Sequence, residues 1–132
     1  MARIVRINNQ EELEVFQLAF KLAMRVFEVS KTFPREEMYS LTDQIRRASR
    51  SVCANVGEAW RKRRYSAAFV SKLSDAETEA TETQVWIRFA VSCEYLAPGV
   101  VDELRHGYDN VIGKLVNMIN RPGEWVLRTR ER

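Results

Sequence analysis

The sequence predicts an all-α protein folded as an up-down-up-down antiparallel four-helix bundle. Four segments repeat apolar residues at alternating spacings of three and four, which is the spacing of a buried helix face. Only 5 Gly and 3 Pro interrupt the 132 residues. Turns of a few residues separate the segments, and so short a turn cannot carry the chain back along a helix about 30 Å long. Successive helices must therefore run antiparallel.

Length and composition exclude several classes of protein. With 132 residues, 45% of them hydrophobic and 30% charged, the chain suits one helix-rich domain. Cys53 and Cys93 are far apart and lack a CxxC spacing, so we expect two reduced, buried cysteines rather than a disulfide or a zinc site. The first residues contain no apolar signal segment, and no apolar run approaches the roughly 18 residues of a membrane span. We expect a cytoplasmic protein with no membrane partner.

The first helix follows a predicted capping box. Asn9 and Glu12 have the spacing at which a cap and the third helical residue satisfy each other's free N–H groups, so the helix is expected to begin near Gln10. Phe33-Pro34 ends it, because the residue before a proline disfavours the α conformation. Its apolar stripe consists of Phe16, Ala19, Ala23, Val26 and Ser30.

The second helix is predicted to begin at Pro34. A proline suits the first turn of a helix, where its missing N–H costs nothing, and Glu36 and Glu37 favour the positive end of the helix dipole. The packing seam that follows contains one polar residue. It consists of Leu41, Ile45, Ala48, Val52, Asn55 and Ala59.

Ser66 is the predicted cap of the third helix, which is expected to close near Tyr95. Its seam consists of Phe69, Leu73, Ala76, Ala80, Thr83, Ile87 and Ala90. Ala97-Pro98-Gly99 precedes a fourth amphipathic helix, which ends at the NRPG run of residues 120–123. The predicted organisation is an N-terminal extension over residues 1–9, a bundle domain over 10–120 and a basic C-terminal tail over 121–132.

A polar stripe runs beside the apolar seam of the second helix. At 100° per residue its members fall within an arc of about 80°. They are Gln44, Arg47, Ser51, Asn55, Glu58 and Lys62, and the third helix carries a stripe of Asp75, Glu79 and Glu82. We expect Arg47 to meet a carboxylate of the third helix, and Asn55 a side-chain or backbone group there. Such pairs fix helix register, which is the structural role expected for Gln44, Arg47, Asn55, Glu58, Glu79 and Glu82.

A catalytic or metal-binding interpretation of these carboxylates is disfavoured. They lack the Glu-x-x-His motif of di-iron bundles, and the only histidine, His106, lies in another helix. No arginine lies five to seven residues before His106, so an Arg/His ribonuclease motif is absent. No phosphate-binding glycine loop or nucleophile motif is present either. The sequence predicts no enzyme activity, no catalytic residue, no metal site and no cofactor.

Basic residues are concentrated around the end of the second helix. Residues 46–64 contain seven bases and the single acid Glu58, an excess of six, whereas the whole chain has a net charge of +3. One or two cations are enough to stabilise a helix C-terminus, so four in succession indicate contact with phosphates. Tyr65 and Trp60 flank this run and can stack on unpaired bases, although the spacing of Trp60 favours a place in the core. The predicted nucleic-acid-binding residues are Arg46, Arg50, Arg61, Lys62, Arg63, Arg64 and Lys72.

Residues 33–59 resemble the four-helix bundle proteins encoded by intervening sequences within 23S ribosomal RNA genes. The matching residues are Phe33-Pro34, Glu37, Tyr39, Leu41-Thr42, Gln44-Ile45-Arg46-Arg47-Ala48, Ser51, Asn55-Val56 and Glu58. Residues 75–96 continue the likeness, which spans roughly residues 12–120. The resemblance implies a ring-shaped homo-oligomer, a pentamer, with an RNA-related role and no enzymatic activity. It also implies a relation to the basic accessory protein of diversity-generating retroelements, a similar pentamer that binds nucleic acid and a reverse transcriptase.

One position departs from the family pattern. The family commonly reads Asn-Ile-Ala-Glu-Gly, whereas this chain has Asn55-Val56-Gly57-Glu58-Ala59, with its glycine two positions earlier. Asn55 and Glu58 match the family pattern, so their family roles apply to this chain. The role of the usual glycine does not apply, because Ala59 stands at its position. We expect Gly57 to permit the close approach of a neighbouring helix, at a cost of ~1 kcal/mol relative to alanine.

The main hypothesis is a non-enzymatic, ring-forming bundle that binds RNA or DNA phosphates. Arg61, Lys62, Arg63 and Arg64 would make the contacts, supported by Arg46, Arg50 and Lys72. The alternative is a protein-interaction scaffold, or an accessory subunit of a nucleic-acid-processing enzyme such as a reverse transcriptase, whose basic face meets an acidic partner.

Overall fold

A computed structural model describes residues 7–127 of the chain. Its four α-helices are α1 (Glu14–Ser30), α2 (Leu41–Arg61), α3 (Ser66–Ser92) and α4 (Pro98–Asn120). Three short 3₁₀ helices span Gln10–Glu12, Arg35–Glu37 and Pro122–Glu124, and no strand occurs in this part of the chain. The predicted all-α class with four helices is confirmed.

Each helix packs against the next one in sequence, and α1 packs against α4. The pair α2 and α3 has the most extensive contact. This closed order of neighbours, together with the short connections, is the arrangement of an up-down-up-down bundle.

The predicted seams form the core of the bundle. All seven predicted seam residues of α3 are buried, and in α2 only Asn55 is half-buried rather than buried. Thr83 is the polar member of the α3 seam, and its Oγ1 donates a hydrogen bond to the Glu79 carbonyl at 2.8 Å. A buried hydroxyl satisfied within its own helix costs little, so the seam stays continuous.

The start of the first helix differs from the expectation. The Asn9 side chain caps the 3₁₀ turn, accepting the Glu11 N–H at 2.9 Å, while the Glu12 carboxylate accepts the N–H of Asn8 at 3.2 Å. Leu13 then adopts an extended conformation and is buried, and α1 begins at Glu14. Asn9 therefore caps a helix as predicted, but the capped helix is a short 3₁₀ turn that ends at Leu13. It does not cap α1.

The start of the second helix is also later than predicted. Pro34 precedes a 3₁₀ turn, and α2 begins at Leu41. The Glu37 carboxylate accepts hydrogen bonds from Ser40 Oγ at 2.8 Å, the Leu41 N–H at 3.3 Å and the Tyr95 hydroxyl at 2.9 Å. The bonds from Ser40 and Tyr95 lower the pKa of Glu37, and the bond to Glu37 raises the pKa of Tyr95 to about 12. This carboxylate joins the start of α2 to the loop after α3.

The third helix ends at Ser92, three residues before the predicted end. Tyr95 N–H bonds the Ala90 carbonyl at 2.9 Å and Glu94 N–H bonds the Val91 carbonyl at 3.0 Å, which is the Schellman pattern. Glu94 occupies its left-handed position with φ 61°. Glycine usually marks this position, and its absence removed the signal for the helix end. At the other end, Ser66 is the first helical residue rather than the cap.

The close helix approach lies at Gly107 rather than at Gly57. A Cβ atom at Gly57 would lie 3.7 Å from Gln10 Cγ, an ordinary contact, so the predicted close approach there is wrong. A Cβ atom at Gly107 would overlap the side chain of buried Leu22, whose Cγ would be 3.1 Å away. Gly107 therefore allows α4 to pack closely against α1.

We expect Gly107→Ala to destabilise the fold by about 1 kcal/mol, because overpacking Leu22 outweighs the better helix propensity of alanine. Gly113→Ala in the same helix is the matched control, since no atom lies within 4 Å of a Cβ there. It should stabilise the fold by about 1 kcal/mol. Urea unfolding measures both variants. Equal stabilisation by the two substitutions would contradict the close packing of α1 and α4.

Candidate nucleic-acid interface

Residues 61–65, here called the α2–α3 corner, carry the four consecutive cations. Arg61 is the last residue of α2, and Tyr65 precedes α3 in an extended conformation. The Lys62 N–H bonds the Ala59 carbonyl at 2.9 Å, and the Tyr65 N–H bonds the Lys62 carbonyl at 3.0 Å. These two bonds form the tight turn that reverses the chain between the helices.

Arg63 faces the bundle. Its guanidinium carbon lies 3.4 Å from the centroid of the Trp60 ring, and its Nε donates a hydrogen bond to the Trp60 carbonyl at 2.8 Å. Burial, with some repulsion from Arg61, lowers the pKa of Arg63. Arg63 is thus the one cation of the four that stabilises the end of α2, and one cation is enough for a helix C-terminus. Trp60 is 4% exposed, which confirms its place in the core.

The other three cations of the corner face the solvent. Arg61, Lys62 and Arg64 are exposed, and none forms an ion pair with another residue in 7–127. The Tyr65 side chain beside them is 65% exposed. Among the described residues, this corner therefore presents three unpaired positive charges and one accessible aromatic ring on a short, well-bonded turn.

The segment after α4 returns to the same corner. Trp125 and Val126 are half-buried against the core, and the Leu127 N–H donates a hydrogen bond to the Arg63 carbonyl at 2.9 Å. This contact was not predicted from the sequence, although the apolar pair Trp125-Val126 is a signal for packing against the core. Residues 128–132 of the predicted tail and 1–6 of the predicted N-terminal extension lie outside the described residues.

Arg46 and Arg50 form a second positive centre, on the side of α2 that faces α1. Their guanidinium carbons lie 4.8 and 5.7 Å from the centroid of the Phe27 ring. Arg46 Nε also donates a hydrogen bond to Ser30 Oγ at 2.8 Å. Eleven residues separate Arg50 from Arg61, which corresponds to about 16 Å along the helix. The corner and this centre are therefore separate sites.

Lys72 lies between two carboxylates. Its Nζ is 2.9 Å from Glu58 Oε1 on α2 and 3.8 Å from Asp75 Oδ2 on α3. The hydrogen bond and charge of Glu58 raise the pKa of Lys72. These acids balance the charge of Lys72, and its contact with Glu58 links α2 to α3.

The polar stripe of α2 is bonded mostly within its own helix. Arg47 Nε donates to Asp43 Oδ2 at 2.9 Å, and Asn55 Nδ2 donates to the Ser51 carbonyl at 3.0 Å. The expected pairing of Arg47 and Asn55 with α3 was wrong, because both side chains bond to acceptors in α2. Gln44 is exposed.

Two carboxylates of the α3 stripe, unlike Asp75, have no basic partner in the described residues. Glu79 and Glu82 are half-buried and form no ion pair with the residues described. Burial and the nearby charges of Glu82 and Asp75 raise the pKa of Glu79.

The other candidate chemical groups, the metal-ligating side chains and the cysteines, form no common site in the described residues. Within residues 7–127 no cluster of three His, Cys, Asp or Glu side chains could hold a metal ion. Burial raises the pKa of Cys53 to about 11, so its thiol stays protonated at neutral pH. Cys93 is exposed, contrary to the expectation that both cysteines are buried. No helix of the described region is long and apolar enough to cross a membrane.

Comparisons with known proteins agree on the family. The model of the 23S rRNA-intervening sequence protein family matches residues 11–117, and the chain belongs to this family. A crystal structure at 1.70 Å of a protein of unknown function from the S23 ribosomal protein family of Bacteroides thetaiotaomicron is similar, with 25% sequence identity and a TM-score of 0.72. That likeness covers 80% of this chain and 95% of the other. Among curated proteins no match is found.

We expect Arg63→Ala to lower the free energy of unfolding by about 1–2 kcal/mol, since it removes a partly buried cation–π contact and the cation at the end of α2. Arg64→Ala, one residue further along, should change it by less than about 0.5 kcal/mol, because Arg64 is exposed and makes no ion pair with the described residues. Thermal and urea unfolding check the difference. Equal losses in the two variants would show that Arg63 has no special structural role.

Proposed function

We propose that this chain is a non-enzymatic, ring-forming helical bundle that binds nucleic acid through phosphates, at the α2–α3 corner. The observation that carries the proposal is the set of three exposed cations, Arg61, Lys62 and Arg64, beside a fourth that the fold uses internally. Charges that make no intramolecular pair contribute little to stability, whereas each can neutralise a phosphate and release a counterion.

The accessible ring of Tyr65 suits unpaired bases. It is 65% exposed and adjoins Arg64, so a base can stack on it while the neighbouring phosphates contact the cations. The name of the family links it to 23S rRNA, which makes single-stranded RNA the first probe to use. In a ring, each subunit would add one corner, and several weak contacts to the same strand would combine.

The central test replaces Arg61, Lys62 and Arg64 together by Gln. Fluorescence anisotropy with a labelled single-stranded RNA, repeated over a salt series, measures affinity and salt dependence. Loss of three phosphate contacts should weaken binding at low salt and reduce the slope of log K against log salt by about 2, at roughly 0.7 per phosphate.

The matched control replaces three other exposed cations, Lys21, Arg88 and Arg105, by Gln. It removes the same net charge, so a general electrostatic effect would weaken binding equally in both variants and contradict a site at the corner. Absence of wild-type binding to RNA and DNA at low salt would overturn the proposal. In that case, capture of an acidic partner protein that survives nuclease treatment would support the scaffold alternative.

A further inference from the structure

The surface between α1 and α2, here called the basic face, combines exposed apolar side chains with arginines. Phe20 is 53% and Met24 46% exposed, and their spacing places them on the same face of α1 as Phe27, whose ring Arg46 and Arg50 contact. Arg46 and Arg50 border this apolar area. The hydrogen bond of Arg46 to Ser30 uses only Nε, so its terminal nitrogens remain available. Large exposed apolar side chains with a charged border are typical of a protein interface.

The surface between α2 and α3, here called the acidic face, has the opposite charge. Glu79 and Glu82 have no basic partner in residues 7–127, and Phe89, two helix turns after Glu82 on the same side of α3, is 53% exposed. Trp86 packs against Phe89 with ring centroids 5.8 Å apart, and its buried Nε1 has no hydrogen-bond acceptor in the described region. Half-buried carboxylates without a cation are costly, and a partner surface that supplies cations to Glu79 and Glu82 would offset this cost.

The charges on the two faces lie at matching heights along the bundle. The Glu58–Lys72 ion pair gives a common reference on α2 and α3. From it, Arg50 and Arg46 lie about 12 and 18 Å along α2, at 1.5 Å per residue. In the same direction, Glu79 and Glu82 lie about 10 and 15 Å along α3. The two pairs therefore agree in height to within about 3 Å.

We infer that a second copy of this chain docks its acidic face on the basic face, with Glu79 against Arg50 and Glu82 against Arg46. The inference deepens the ring-forming part of the proposed function by naming the two faces that meet. The contact would place the half-buried carboxylates of one copy against the guanidinium groups of the next, so that the charges of the two faces compensate each other.

The positions of the two faces on the bundle favour a closed ring of copies. The contact joins two different surfaces, which makes it heterologous, and such contacts form rings or open filaments. Equal heights of the paired charges mean that each copy is rotated with little rise along the axis. Adjacent faces of a bundle point in different directions rather than opposite ones, so successive copies turn and the contact favours a small closed ring over a straight filament. All α2–α3 corners would then lie at one end of the ring.

Charge reversal tests the contact directly. Arg50→Glu and Glu79→Arg each place like charges opposite one another, and each should raise the protein concentration of half-assembly at least about tenfold. The double variant Arg50→Glu with Glu79→Arg restores opposite charges at every contact and should recover assembly. Sedimentation velocity on nuclease-treated protein at constant salt measures the distribution, and circular dichroism checks folding. Arg88→Glu, on the side of α3 that faces α4, is the control and should assemble as the wild type does.

Three results would overturn the inference: a monomeric wild type, single variants that assemble normally, or a folded double variant that does not recover. The RNA-binding proposal is tested separately. Replacing Arg61, Lys62 and Arg64 by Gln should leave assembly unchanged whether or not RNA binding is lost, so failure of one proposal is distinguishable from failure of the other.

Discussion

The contact between Arg63 and Trp60 organises the α2–α3 corner. The Trp60 indole is part of the core, and the Arg63 guanidinium stacked on it fixes the turn two residues after the end of α2. The backbone carbonyl of the same arginine accepts the Leu127 N–H, so the segment after α4 is tied to this point as well. With Arg63 committed to the fold, its three neighbouring cations are left facing solvent, and they form the candidate site.

The second helix serves three surfaces at once. Its apolar seam lies in the core, its arginines at 46 and 50 border α1, and Glu58 contacts α3 through Lys72. One amphipathic stripe covers little more than a third of a helix surface, so the remaining positions are available for partners. The proposed division gives the end of α2 to nucleic acid and its α1 side to a second copy of the chain. In such a ring, the exposed cations of neighbouring α2–α3 corners would form one continuous basic surface.

The core could be predicted almost residue by residue, because burial follows the 3.6-residue period of the helix; the seam of α3 is an example. Helix ends were less predictable. Asn9 and Pro34 do mark starts, but of 3₁₀ turns, and Glu94 ends α3 where a glycine would have signalled the turn. The partners of long charged side chains were least predictable, since a flexible side chain can bond within its own helix, as Arg47 does with Asp43, instead of with the neighbouring helix. In the candidate site, the sequence predicted the concentration of cations but not which one the fold would use.

The most direct test of this account is ultraviolet crosslinking of the wild-type protein to single-stranded RNA, with the modified residues located by mass spectrometry. Nucleic acid at the α2–α3 corner predicts crosslinks at Tyr65 and its immediate neighbours, while Phe20 and Phe27 on the basic face stay unmodified because a second copy covers them. Crosslinks concentrated at Phe20 and Phe27, with none at Tyr65, would contradict the account and place the nucleic acid between α1 and α2.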